Sequence, residues 1–524
     1  MKRILSVLLV TLLALPGVAA LAAVDPTPNL GKLPISDVPI TITCFNWAHS
    51  YTRGEYQDLM IWAELEKLTN IHIEFETHFT DWEEKLALKL ATNDLPDLFY
   101  KTNQNNANVF KYAQDEVFAP ITPYLADWAP NFSYQMDNMP NLRPAITMPD
   151  GEIYGFPYLI TASAYMSLPM FVNHVWLEKL GLDALPNTLD GLKEVLIRVR
   201  DEDLNGNGVK DEIPLLFPAE AAFMYGTFGL ATRGTSAPYI DIGPDGELRF
   251  YLAADGYREM LTYLNDLYAD GLIYQEIFSI QDDILPSVTA LGEQNLLFFL
   301  PGFAIRDYVG TTYMNDFGGV LEPFIGPSGM QGYSMSINPV AAQNTFISTT
   351  NPYPAETVAM IDYFYSDEGV RMYFMGFEGI TYEWTEDGRC IYNDYVSNNP
   401  DGLNREEVLG GYVSWAGGAN PSMAEDKYFG NMFPPVETAI SRALMAYTPK
   451  EVWGSFRYSA EDSDRMTVLR ADIDAYIKEM RAKFISGSAN IETEWDTYIK
   501  TLKQIGLDEY MGIHKRGYEA YLGN

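Results

Sequence analysis

ITITCFNW (Ile40–Trp47), YQDLMIWAELEKLT (Tyr56–Thr69), IHIEFETH (Ile71–His78) and DWEEKLALKLA (Asp81–Ala91) follow one another with short connections, and their periods decide the architecture. Four β-branched residues in a row, Ile40 to Thr43, predict a buried strand. Its Ile40, Ile42 and Cys44 share one face, and Thr41, Thr43 and Phe45 the other. Leu59, Trp62, Leu65 and Leu68 recur at helical spacing. Ile71, Ile73 and Phe75 then alternate with His72, Glu74 and Glu76, the pattern of a half-buried strand. Strand, helix, strand and helix with connections this short require a βαβ crossover, and so a parallel sheet.

Further along, Thr188 caps a helix whose apolar face is Leu189, Leu192, Val195, Leu196 and Val199. Tyr257–Tyr268 reads as another helix and Leu296–Leu300 as a continuous apolar strand. The last third is mainly helical, over Glu356–Ser366, Ser463–Ser486 and Glu492–Gly506. The class is α/β with a helical C-terminal extension. At the other end, Lys2 and Arg3 precede the apolar run Ile4–Leu15, the breaker Pro16-Gly17 and the small residues Ala19, Ala20, Ala22 and Ala23. Residues 1–23 thus read as a secretory signal, and the Pro-, Asp- and Asn-rich 24–37 as a linker. No Cys lies near the cleavage site, so no lipid anchor is expected there, and the mature chain is expected to be exported.

The 524 residues carry 35 Lys+Arg against 71 Asp+Glu, a net charge of -36. Such a surface repels phosphate backbones and anionic headgroups, which argues against nucleic-acid and general membrane-surface binding. Hydrophobic content of 47% is ordinary for a globular chain, and aromatic content of 14% is rich. Five His and two Cys leave little for a His- or Cys-ligated metal centre; Cys44 and Cys390 are read as small buried hydrophobes, with a disulfide left open. His72 and His78 do not share metal spacing, and no P-loop, GxSxG or HExxH is present.

The sharpest motif is DLNGNGVKDE (Asp203–Glu212). Oxygen side chains at alternate positions, with Gly208 sixth, follow the first half of an EF-hand loop. A hard cation wants six or more oxygens, and alternate residues of a tight loop converge on one centre. The expected ligands of a structural Ca2+ are Asp203, Asn205, Asn207, the Val209 carbonyl, Asp211 and Glu212; Pro214 occupies the usual twelfth position, so Glu212 must supply the bidentate carboxylate.

WEEKLALKLATNDLPDL (Trp82–Leu98), PDGEIYGFPY (Pro149–Tyr158), FVNHVWLEKLGL (Phe171–Leu182), the stretch Asn187–Pro214 and the closing Lys483–Leu507 occur in the order in which similar segments occur in the extracellular solute-binding proteins of ABC importers, family 1. The chain resembles the large oligosaccharide-binding branch of that family, which includes alginate-binding proteins. It departs from the many lipoprotein members in lacking a lipobox Cys. The resemblance implies a periplasmic-binding-protein-like fold, two α/β lobes joined by a multi-strand hinge. On that frame we expect lobe one at 38–160 plus 323–380, and lobe two, with the calcium loop 203–212, at 161–322 plus 381–524. Crossings are expected near Leu159–Leu168, Leu321–Phe324 and Gly379–Trp384.

Sugars present flat C–H faces and a rim of hydroxyls, which aromatic rings and polar side chains match. The candidates beside strand ends and crossings are Trp47, Tyr51, Tyr158, Phe303, Arg306, Tyr382, Trp384 and Trp415. The implied function is capture of an oligosaccharide for an ABC permease, by a monomer and without catalysis. The alternatives are a secreted carbohydrate-active hydrolase or lyase, and a sensing partner of a membrane kinase.

Overall fold

The computed structural model describes residues 29–218, 220–234, 239–279, 285–302, 305–335, 338–414, 421–428, 435–454, 456 and 458–523. The expected signal segment 1–23, with Phe303 and Trp415, lies outside them.

The described strands, in chain order, are β1 (Ile40–Trp47), β2 (Ile71–His78), β3 (Leu98–Tyr100), β4 (Gly155–Ile160), β5 (Met170–Asn173), β6 (Ile213–Leu215) and β7 (Ile240–Ile242). They continue with β8 (Leu248–Phe250), β9 (Leu297–Pro301), β10 (Phe317–Gly319), β11 (Val340–Ile347), β12 (Tyr382–Trp384), β13 (Cys390–Tyr392) and β14 (Met423–Ala424). Six form one sheet in the order β14-β4-β11-β3-β1-β2, and four form a second in the order β10-β5-β9-β6. The hairpins β7-β8 and β12-β13 stand apart.

β1 runs parallel to β2, in register from Ile40 opposite Ile71 to Trp47 opposite His78, and parallel to β3 on its other side. Helix Met60–Thr69 makes the crossover between β1 and β2. It buries Ile61, Trp62, Leu65 and Thr69, and Asn70 ends it in the left-handed conformation, φ 62°. In β1 the alternation holds: Ile40, Ile42 and Cys44 enter the main core of the first lobe, while Phe45 enters a smaller cluster with Phe99, Phe118 and Phe346 on the opposite face. Cys44 and Cys390 are both buried, and no disulfide joins them.

Two large cores show where the chain changes lobe. Leu159, Val340 and Tyr428 pack in the first core; Met170, Tyr333 and Ile440 pack in the second. The first change falls between 160 and 170. The other two come later than the segments expected. Phe324 stays in the second core, because β10 pairs with β5 just before it. Residues assigned by sequence to lobe two, Tyr382, Cys390, Tyr392, Val408 and Ala424, are buried in the first core, because the β12-β13 hairpin folds onto the helix ending at Phe374. The second and third changes therefore lie near 333–340 and 428–440.

The linkers are tied to one another. Ile160 N donates to Pro339 O (2.8 Å), Leu159 N to Ser422 O (2.9 Å), and Thr161 N and Ala162 N to Ala424 O (2.8 and 2.9 Å). The C-terminal helices Ala460–Ser486, Ile491–Ile505 and Leu507–Tyr521 complete the second lobe, covering it with Ile473, Ile477, Phe484, Trp495 and Tyr498. Thr188 caps Leu189–Asp201 as expected, its side chain accepting from Gly191 N at 3.2 Å.

Candidate functional site

Strand direction places one edge of each sheet at the linkers. In the first sheet β1, β2, β3 and β4 all run toward the edge from which Ile160 leaves and at which β11 begins. In the second, β6 and β9 run parallel and end where β5 begins, Met170 facing Pro301. Ligands of open α/β sheets sit beyond the carboxyl ends of strands, so both edges converge on the junction.

On the first lobe, Trp47 ends β1 half-buried. The Lys101 ammonium lies 5.1 Å from its ring centroid, and the His49 and Trp82 rings lie at 5.9 and 6.3 Å. Tyr51 joins the group through His49, at 4.5 Å between ring centroids. Lys101 follows β3 with φ 59°, and Asn103 has φ 23°. A non-glycine residue is held in such a conformation only where surrounding structure over-determines it, and such positions cluster at functional sites. The Lys101 side chain donates to Ser414 O at 2.7 Å, and burial pushes its pKa down to about 7. Burial, and then the charge of Lys101, hold the His49 imidazole below its usual range.

On the second lobe a cavity of about 380 Å³ opens beside the ends of β6 and β9 and the first two linkers. Leu168, Phe223, Pro301 and Met335 form apolar wall; Glu220, Tyr239, Ser334 and Arg470 supply polar groups. Close by, the buried Glu437 accepts from Ile305 N at 2.9 Å. Burial raises its pKa to about 7, while Arg306 and, from the first lobe, Arg405 pull it the other way.

The structure brings Trp47 and Tyr51 together. Tyr158 is half-buried in β4, its ring 6.5 Å from Phe374. Arg306 is exposed at the start of helix Ile305–Tyr313. Tyr382 is buried in the first core. Trp384, 39% exposed on the same hairpin, is stacked by the Arg371 guanidinium at 5.6 Å. Sequence reasoning missed Lys101, Glu220 and Arg470: single charged residues carry no local signal, though Lys101 directly follows a short apolar strand on the βαβ edge.

In the loop 203–212, Asp203 accepts from Gly206 N (2.8 Å) and Gly208 N (2.9 Å). Asn205 and Asn207 accept from Asn207 N and Val209 N (2.9 and 2.7 Å). Their amide nitrogens donate to Asp211. Gly206 and Gly208 take φ 79° and 88°, as the tight turn demands. Glu212 accepts from Leu204 N and Asn205 N through Oε1 (2.6 and 3.0 Å), while its buried Oε2 has no partner. Among the described residues no three His, Cys, Asp or Glu side chains converge on one point; the donors of this loop are mixed amides, carbonyl and carboxylates. A cation fits the orphaned Glu212 oxygen, which is costly to bury alone.

Residues 50–274 match the model of the bacterial extracellular solute-binding protein family. The fructooligosaccharide ABC transporter substrate-binding protein FusA of Streptococcus pneumoniae serotype 4 is 27% identical over 494 residues, spanning 89% of this chain and 87% of that protein. The structure of S. pneumoniae FusA in complex with kestose superposes with TM-score 0.69 at 25% identity, over 93% of this chain and all of that one. An EF-hand mutant of FusA has also been solved. An HMO-binding ABC-transporter-associated solute-binding protein from Bifidobacterium longum infantis shares the fold at TM-score 0.76 and 20% identity, over 93% and 99% of the two chains. The alginate-binding protein AlgQ2, solved without calcium ion, shares it at TM-score 0.67 and 21% identity, over 93% and 100%. These neighbours are periplasmic-binding-protein-like, and this chain shares their fold and, over residues 50–274, the match to the bacterial extracellular solute-binding protein family.

Proposed function

We propose that this protein is the extracytoplasmic substrate-binding component of an ABC importer, a monomer that captures an oligosaccharide between its lobes and presents it to the permease. The observation that carries this reading is the alignment with FusA over 89% of the chain. The geometry supports it: an aromatic platform with a cation on one strand edge, and an apolar pocket with hydrogen-bonding groups on the other. Rings cover the C–H faces of sugars, and carboxylate, hydroxyl and guanidinium groups bond the rim. Neither edge surrounds a ligand alone, so the closed state is the one a bridging ligand favours. The proposed location is the cell envelope or its exterior; among the described residues no helix is long and apolar enough to cross a membrane.

The loop 203–212 is proposed to hold Ca2+ structurally, with Glu212 as the carboxylate that closes the site. Its supports are the orphaned Glu212 Oε2 and the two glycines at positive φ.

The test is calorimetry of the mature protein, with calcium present, against kestose, maltotriose and acidic trisaccharides, each bound sugar then recovered. A sugar bound and returned intact supports the receptor. A sugar returned as fragments overturns it in favour of a hydrolase or lyase.

A further inference from the structure

The second-lobe cavity is bordered by charges that cancel. Helix Ala460–Ser486 carries Arg470, Asp474 and Arg481 at spacings of four and seven residues, which set them along one stripe. Arg470 reaches Asp474 at 3.4 Å and lines the cavity. Arg481 is 9% exposed and its Nη1 has no hydrogen-bond partner. Glu220, in the cavity wall, accepts the Tyr225 hydroxyl at 3.3 Å through one oxygen. An ionised carboxylate has about four acceptor sites, so most of its capacity remains. The cavity wall thus holds one carboxylate, Glu220, and one guanidinium, Arg470, which is already paired with Asp474. The next charges out are also matched: Asp241 with Arg249 at 2.7 Å, and Glu451 with Arg233 at 3.4 Å. Tyr239 holds φ 64°, a strained backbone that turns an aromatic residue into the wall.

We infer that this cavity takes an uncharged, hydroxyl-bearing end unit of the sugar, read by Glu220 as hydrogen-bond acceptor. The inference rests on the oligosaccharide reading above and narrows it to neutral sugars. An acidic end unit would place a carboxylate against Glu220, beside an Arg470 already paired with Asp474, inside a protein whose net charge is already -36. A neutral ring instead donates hydroxyl hydrogens to Glu220 and lays its C–H face on Phe223 and Tyr239.

The experiment is isothermal calorimetry with kestose, maltotriose and cellotriose as neutral probes, and trigalacturonic acid and a mannuronate trimer as acidic ones. It uses wild type, Glu220→Gln and Trp47→Ala, each first checked for cooperative thermal unfolding. The expected result is binding of at least one neutral probe, no binding of the acidic ones, and a loss of about tenfold to a hundredfold in Glu220→Gln. Acidic probes bound as tightly as neutral ones by wild type overturn the inference even if the variant fails to fold. Neutral binding lost in Trp47→Ala but unchanged in Glu220→Gln also overturns it, and leaves the receptor reading standing. A wild type that binds none of the five overturns both.

Discussion

Lys101 holds its ammonium beside the Trp47 ring at the end of β3, where burial lowers its pKa from 10.5 to about 7. The unfolded chain therefore binds that proton more tightly than the folded one between pH 7 and 10.5. Stability is lowest at and below pH 7 and rises as pH climbs toward 10. Lys101→Met should remove this rise and stabilise the protein at pH 7 by on the order of 2 kcal/mol, once the lost bond to Ser414 is deducted. Urea unfolding of both proteins at pH 7 and 9 checks it; equal slopes with pH in the two would refute the assignment. The gain is expected to come with weaker sugar binding, since strained, desolvated groups at sites cost stability. If the proposed sugar-binding function holds, Trp47→Ala should weaken binding of the trisaccharide that calorimetry selects about tenfold or more, while Trp47→Phe keeps most of it, because a ring face is what a sugar needs. Titration calorimetry separates the two, and equal affinities in Ala and Phe variants would remove Trp47 from the platform.

Among elements, the loop 203–212 is the one whose chemistry was plain in the sequence, because its donors and its turn glycines lie within ten residues. Calcium at a hundred times its dissociation constant should stabilise the fold by about 2.7 kcal/mol, raising the unfolding temperature by several degrees. Glu212→Ala should abolish that rise, read by differential scanning calorimetry with and without chelator. Because Glu212 bonds Leu204 and Asn205 within its own loop, chelation should leave affinity for the sugar that calorimetry selects unchanged; a large loss would move the ion into the binding site. The helix Ala460–Ser486 shows the opposite kind of legibility. Its helical period is evident, yet the role of Arg470, Asp474 and Arg481 is not, since on a lone helix they look like any solvated stripe. The β12-β13 hairpin likewise reads as strand, but its burial of Tyr382 in the first core depends on the element beneath it.

At the scale of the whole molecule, Asp426 fastens the hinge. Its Oδ1 accepts from Ser163 N at 2.7 Å, and its Oδ2 accepts from the Ser163 hydroxyl and from Arg442 Nη2 at 2.9 Å. It thus ties the first linker to the third and to the helix Pro435–Leu444. Asp426→Ala leaves the Ser163 amide without its acceptor and should cost about 1–3 kcal/mol in urea unfolding. Since the pin lies between lobes, affinity for the sugar that calorimetry selects should change as well; an unchanged affinity would show that the tie does not govern closure.

The βαβ opening, the helical C-terminal third, the capped helix at Thr188 and the glycine turns of the loop 203–212 were all legible without a structure, because periodicity, caps and turn glycines are relations among near neighbours. The lobe boundaries at 333–340 and 428–440, the pairing of Lys101 with Ser414 across 313 residues, and the meeting of Glu220 and Arg470 in one cavity were not. A charged residue reads the same in a sequence whether it ends in water or in a core. Its burial, its partner and the cavity beside it arise only when elements from distant parts of the chain pack together, and that packing is where the binding chemistry of this protein resides.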